Sequence, residues 1–516
     1  MLSVSASDIV LPALLAALAA FTISSVLYAL KSSKLPYPIP AEEDIQLKLH
    51  RAAAEKRGPW EVFDSLTKRY GPIFSFSLRG TPTLVLSTAT LGWELLEKRG
   101  ENYSSRPRLV TAHDILSGGL RGLTSPYNDY WRKWRKIQHL GMNARQSVVY
   151  REHQTLEATI LLRDITRNIH QYHELIERFA SSIVLSISYG RRTSSMNDEV
   201  VQYNLQSIRA FRDVISSIPC WPILLWLPRP LQWFRRQHER TFDEDIKFYS
   251  ALVDSVHDRM TAGTQKDCMT SRALSDGSMQ LSKNELAIAV SSPFGAGVHT
   301  VRLSTCFMEV AAVLYPEAAK KVQTEFDNVV GRDRMPTFAD EAYLPYFSAW
   351  IKEVLRRWPV APAAAPHSVS RDDYFEGHRI PKGTTVFANL STMLKDPAMF
   401  SEPEAFIPER FIAEKDDDLS GRLRDFTLPF GFGRRQCPGI HVASQSIFIV
   451  MARLLWTFNI IPAKDASAPD PDAYIFLGLT ILPKPFKFAL EPRFPDALRI
   501  LEVEASEADA RVKEWE

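Results

Sequence analysis

The chain has 516 residues, 45% of them hydrophobic and 24% charged, and its 62 Lys and Arg against 60 Asp and Glu leave a formal net charge of +2. That balance excludes a disordered polymer and a strongly basic nucleic-acid binder, so no nucleic-acid partner is expected. Four cysteines, Cys220, Cys268, Cys306 and Cys437, are too few and too scattered for a disulfide framework, and no two form a C-x-x-C pair, which points to a reducing compartment.

Residues 9–30, IVLPALLAALAAFTISSVLYAL, carry no charge. At about 1.5 Å rise per residue they are long enough to cross a hydrocarbon layer roughly 30 Å thick. Residues 1–30 therefore read as a membrane anchor with its helix at about 9–30. A cleaved signal peptide would need a basic leader, and residues 1–8 hold no Lys or Arg. Lys31 and Lys34 follow at once, so the positive-inside bias puts residues 31–516 on the cytosolic face of a single-pass protein. No Gly/Ser linker or low-complexity tract divides that body.

The prolines of LPYPIP at 35–40 make a stiff spacer off the membrane. Alternation at 73–79 (IFSFSLR) and, after Gly80, at 83–87 (TLVLS) predicts a β-hairpin. From about 88 to 360 the period is helical, so the body is mainly α with a minor β portion. Within it YWRKWRK at 130–136 reads as a basic, aromatic helix on a surface or at a membrane. The apolar run at 218–234 is broken by Pro219, Pro222, Pro228 and Pro230, far below spanning length. Its tryptophans and arginines suit a segment dipping into a headgroup layer; a core-facing loop is the other reading. Ser282 and Glu285 form a capping box that opens a helix to about Leu314, with a kink expected where Pro293, Gly295 and Gly297 interrupt it. Glu353 and Arg356, spaced i, i+3, share a helix face and can pair.

The most informative stretch is FGFGRRQCPG at 430–439. Gly431, Gly433 and Gly439 permit close approach of a backbone to a flat ligand, and Arg435 offers a planar fork for a carboxylate. Pro438 suits the first turn of a helix, which would leave Cys437 at a helix N-terminus, where amides and dipole favour a thiolate. A buried thiolate wants a soft metal, and iron in a haem, with a propionate for Arg435, satisfies these features together.

Phe430, Gly433, Arg435, Cys437 and Gly439 fill the five specified places of the haem-binding loop of the cytochrome P450 family, which the chain resembles from end to end. The resemblance implies the cytochrome P450 fold for 31–516 and haem b (iron protoporphyrin IX) held by the axial thiolate of Cys437. It makes Glu353 and Arg356 the E-x-x-R pair, joined by Arg410 of the P-E-R-F segment at 408–411. Trp131 and Arg135 match the W-x-x-x-R helix that reaches a propionate, and His367, in APHSVSRDD, falls where another propionate contact is expected. In the oxygen-binding motif Ala296, Gly297 and Thr300 match, but His299 replaces the usual acid and Val301 the second hydroxyl. Thr300 and His299 are then the catalytic candidates, since an imidazole can pass protons as a carboxylate does. Substrate contacts would fall at 109–123 and around 218–227.

The activity so implied is a membrane-anchored monooxygenase of the endoplasmic reticulum that oxidises a lipophilic small molecule with O2. Its electrons would come from a separate NADPH-cytochrome P450 reductase. The stretches ADEAYLPYFSAWIKEVLRRWPVAP and GFGRRQCPGIHVA resemble fungal members that tailor terpenoids, polyketides or alkaloids. Two alternatives stand beside it: a haem-thiolate isomerase or dehydratase without O2 chemistry, and a non-catalytic membrane haem-binding protein.

Overall fold

The computed structural model describes residues 37–40, 42–216, 225, 227–412 and 425–515. The anchor expected at 9–30, with Lys31 and Lys34, lies outside these residues, as do 218–224 of the proline-broken run.

The hairpin forms where the alternation places it. Strands β1 (Ile73–Leu78) and β2 (Thr81–Leu86) are antiparallel, with Leu78 opposite Thr81. The two-residue turn is Arg79–Gly80, at φ 49° and 78°. Two left-handed residues in succession match the twist of the flanking strands, and Gly80 adopts its conformation without steric cost. Phe74, Phe76 and Val85 bury one face of the hairpin against Phe63 and Leu66 of the preceding Pro59–Tyr70 helix.

The remaining helices build the body. In chain order they include α1 (Asp129–Met142), α2 (Arg151–Arg167), α3 (Tyr172–Tyr189), α4 (Trp233–Thr261), α5 (Lys283–Leu314) and α6 (Pro345–Arg357). After a β-rich stretch come α7 (Ile440–Thr457) and α8 (Ala497–Val512). Helix α5 is the spine, packed against α1, α3, α4 and α7, while α2 lies on α3, α7 and α8. Among the described residues α7 is the one helix long and apolar enough to cross a membrane, but 78% of it is buried inside the protein, as suits a core helix.

Strands beyond residue 360 are local features that the helical reading did not include. They are β3 (His367–Ser368), β4 (Asp373–Phe375), β5 (His378–Ile380), β6 (Thr385–Ala388), β7 (Phe458–Pro462), β8 (Tyr474–Phe476), β9 (Ile481–Pro483) and β10 (Phe488–Pro492). Strand β6 joins the hairpin, parallel to β2 and antiparallel to β3, so one sheet runs β1-β2-β6-β3 and carries His367 at its edge. The other pairs are β4 with β5, β7 with β10 and β8 with β9.

Helix α5 starts as its capping box dictates: Ser282 Oγ accepts from the Glu285 amide at 3.3 Å and Glu285 Oε2 from the Ser282 amide at 2.7 Å. The helix continues through Pro293. Proline has no N–H for the carbonyl four residues back, which is Ala289. Gln138 of α1 takes over that bond, donating from Nε2 to Ala289 O at 2.7 Å in a buried setting. One turn on, the contact with α3 is so close that a Cβ at Gly297 would stand 2.7 Å from Val184 Cγ1.

Candidate active site

The loop before α7 is made of two short helical turns, Leu428–Phe430 and Gly433–Arg435, separated by Gly431 at φ 83°. The Cys437 amide donates to Phe430 O at 2.9 Å and closes the loop on itself. Phe430 is partly buried against the main core. At Gly433, φ is 49° and an added Cβ would lie 2.6 Å from Leu96 O, so the Trp93–Lys98 segment is what approaches its backbone. Helix α7 begins at Ile440 with Gly439 as its cap; Pro438 therefore precedes the helix instead of opening its first turn. The Pro438–Gly439 turn brings the Gly439 amide back to the Cys437 sulfur. Burial pushes the Cys437 thiol up, while that amide and the Arg135 charge favour the thiolate.

Three guanidiniums gather beside this loop. Arg435 donates to Ser104 O at 2.6 Å, Gly122 O at 3.2 Å and Ser125 O at 2.7 Å, and its plane lies 4.2 Å from the ring centre of Trp131. Arg135, one helical turn beyond Trp131 on α1, donates to Gln436 O, next to Cys437, at 2.6 Å. Arg106 donates to Leu123 O at 3.1 Å and to Ala365 O and Pro366 O, both at 2.7 Å. Among the described residues no carboxylate pairs with any of the three. Burial, with Arg106 and Arg135 alongside, pushes Arg435 down to about 8, and burial pushes Arg106 down to about 10. Arginine keeps its proton in folded proteins, so the site favours a group of negative charge.

The remaining propionate candidates adjoin this cluster. Trp131 Nε1 is buried without a partner. His367 Nδ1 donates to Tyr103 O at 2.8 Å, and burial together with Arg106 and Arg435 holds its imidazole far below the usual range, neutral.

Ala296, Gly297, His299 and Thr300 form a partly accessible stretch within an otherwise buried helix. Thr300 Oγ1 donates to Ala296 O at 2.9 Å. His299 Nδ1 stands 3.3 Å from Glu177 Oε1 of α3, an oxygen that also pairs with Arg302 Nη1 at 2.7 Å. No hydrogen bond or ion pair among the described residues ties His299 or Thr300 to the Cys437 loop. In the expected substrate region, residues Val110–Ile115 form a π-helical turn; its Ala112 and the following Leu116 pack on Phe211.

Away from the loop the structure joins Glu353, Arg356 and Arg410. Arg356 grips Glu353 with two bonds of 2.7 and 2.9 Å, Arg410 Nε lies 3.2 Å from Glu353 Oε2, and the Ile407 amide donates to Glu353 Oε1 at 2.8 Å. Arg356 also donates to Leu394 O and Ala405 O, and Arg410 to Ser401 O. Glu353 and Arg356 are fully buried.

Three residues of this region escaped the sequence reading: Arg106, Glu177 and Gln138. Each meets its partner only through tertiary packing. For Gln138 a signal existed, since a proline inside a long helix demands a donor for the carbonyl it strands.

Comparisons with known proteins identify the family and the fold. A cytochrome P450 family model matches residues 45–490. Cytochrome P450 monooxygenase 58 of Postia placenta is 34% identical over 456 residues, 86% of each chain. Cytochrome P450 monooxygenase FrzL of Cladobotryum is 32% identical over 493 residues, 94% of this chain and 93% of its own. A zebra fish cytochrome P450 solved with progesterone superposes with a TM-score of 0.69 at 24% identity, over 84% of this chain and all of the other; the likeness is one of fold.

Proposed function

The chain belongs to the cytochrome P450 family of monooxygenases, and on that premise we propose that it is a membrane-anchored haem-thiolate enzyme oxidising a lipophilic small molecule. The observation that carries the reading is the cluster of Arg106, Arg135 and Arg435 beside Cys437. A dianionic, flat group with a soft metal fits this donor set: thiolate sulfur, three partly buried cations without a carboxylate partner among the described residues, and an orphaned indole N–H at Trp131. Cys437 would hold the iron of haem b; Arg435, Arg135, Trp131, Arg106 and neutral His367 would hold its propionates. When bound, the haem supplies the reductive activation of O2 and the oxidation of a substrate C–H bond.

The protein's own work is positioning and proton handling. The Gly439 amide and the Arg135 charge favour the thiolate form of Cys437. Thr300 and His299 lie where the helix surface opens, with a hydroxyl and an imidazole able to order water and pass protons. Glu353, Arg356 and Arg410 fasten α6 to the segment at 401–410 and so brace the scaffold. Electrons are assigned to a separate NADPH-cytochrome P450 reductase, and residues 9–30 anchor the enzyme in the endoplasmic reticulum with its body in the cytosol, where a lipophilic substrate enters from the bilayer. The fungal relatives support a role in secondary metabolism.

His299 in place of an acid favours one second reading, a thiolate-dependent isomerase or dehydratase. Both are tested by expressing the chain with a reductase in a host fed candidate precursors, beside Cys437→Ala, and comparing metabolites by mass spectrometry. The proposal expects a reduced-CO thiolate band and a product heavier by one oxygen atom, both lost in the variant. A Cys437-dependent product that has only lost water or rearranged would establish the second reading.

A further inference from the structure

We propose that Glu177, on α3, is the positioning residue of a proton relay shared between two helices, holding the His299 imidazole that stands where an acid on α5 is usual. The inference rests on the monooxygenase reading above.

The geometry of α3 against α5 carries it. Gly297 and Val184 bring the two helices close enough that a side chain on one reaches the other's backbone turn. One to two turns along, the Glu177 carboxylate lies 3.3 Å from His299 Nδ1 and 2.7 Å from Arg302 Nη1. His299 Nε2 is buried with no protein partner. A carboxylate beside Nδ1 keeps a proton on that nitrogen and leaves the buried Nε2 as the one that takes up and hands on protons, the same logic by which an acid orients a working histidine elsewhere. Burial alone would raise the Glu177 carboxyl, but His299 and Arg302 outweigh it and hold it below the usual carboxylate range, ionised. The other titratable groups in electrostatic reach of Glu177 are His173, exposed one turn earlier on α3, and Cys306, whose Sγ lies 3.5 Å from His173 Nδ1. Glu309 sits farther along α5, buried against Tyr172.

The reaction served is RH + O2 + 2 e⁻ + 2 H⁺ → ROH + H2O, with both electrons drawn from NADPH through the reductase. Each proton leaves imidazolium Nε2 for water, and the imidazole is recharged from solvent. Glu177 is not consumed; it keeps the ring oriented.

The test uses the purified holoenzyme with 15N-labelled histidine, the His299 signals assigned by their loss in His299→Asn. Glu177→Gln should shift the His299 tautomer away from Nδ1–H, with the reduced-CO band retained as the check on folding. Arg302→Gln, which leaves Glu177 to His299 alone, should enrich the Nδ1–H tautomer, and Glu177→Asp should restore most of the wild-type tautomer population. With reductase and substrate, Glu177→Gln should release several-fold more hydrogen peroxide per NADPH. His299 signals indifferent to both variants overturn the pairing, whatever the activity. Shifted signals with an unchanged peroxide share overturn the relay and leave a structural pair. A wild-type enzyme that makes a Cys437-dependent product without consuming NADPH overturns the monooxygenase reading itself, and the relay with it.

Discussion

Glu309 is a carboxyl that the site does not use, fully buried on α5 with Tyr172 donating to Oε1 and Oε2 left without a partner. Burial pushes it up to about 8, against the smaller pull of Tyr172 and Arg302. The folded protein thus holds a proton, between about pH 4.3 and about pH 8, that the unfolded chain has already released. With more protons on the folded side, stability falls as pH rises through that window. Glu309→Gln keeps the shape and the Tyr172 bond but cannot titrate. Its melting midpoint, followed by circular dichroism from pH 6 to pH 8, should decline less than that of the parent. The arginines beside Cys437 follow the opposite logic: they cannot shed their charge, and burying them demands a counter-charge from outside the polypeptide.

At the scale of elements, the bond from Gln138 to Ala289 shows how one helix repairs another. Gln138→Leu removes the donor for a buried carbonyl that Pro293 has already deprived of its own, at a cost of about 1–3 kcal/mol. A lower unfolding midpoint checks this, and Gln138→Leu combined with Pro293→Ala, which restores the missing amide, should recover most of the loss. The start of α5 was legible because Ser282 and Glu285 lie three residues apart and act on each other. So was the Arg79–Gly80 hairpin, whose signal is alternation on either side of a glycine. The loop that closes on Cys437 was legible for the same reason, its residues lying within one short stretch. Glu177 was not, because its partner is more than a hundred residues away and only the close passage of α3 at Gly297 brings them together. Strands β7 to β10 were missed because each is five residues or fewer, too short for a period to declare itself. The Pro438 expectation erred by two residues because the turn before α7 is committed to the Cys437 sulfur.

Across the whole molecule, one buried carboxylate ties its own helix to a separate segment of the chain. Glu353 is held by Arg356 from its own helix, by Arg410 and by the Ile407 amide, all in a setting closed to water. An exposed pair of this kind is worth under about 1 kcal/mol, but breaking a buried one strands its partners and costs about 3–5 kcal/mol. Glu353→Gln should therefore lower the yield of folded protein sharply and increase cleavage by added protease, measured on the same membranes as the parent.

The parallel pairing of β2 with β6 has a consequence in time. Thr83 lies opposite Thr385, so the inner edge of the hairpin has no neighbour until about 300 further residues have been made. At ribosomal speeds of about 5–20 residues per second that wait lasts roughly 15–60 s. During it a finished two-stranded ribbon with apolar side chains on both faces and unpaired edges stands at the head of a nascent chain, marginal by itself and able to pair with the wrong partner. The sheet that ends as a quiet corner of the protein begins as the place where a growing chain most needs a guardian.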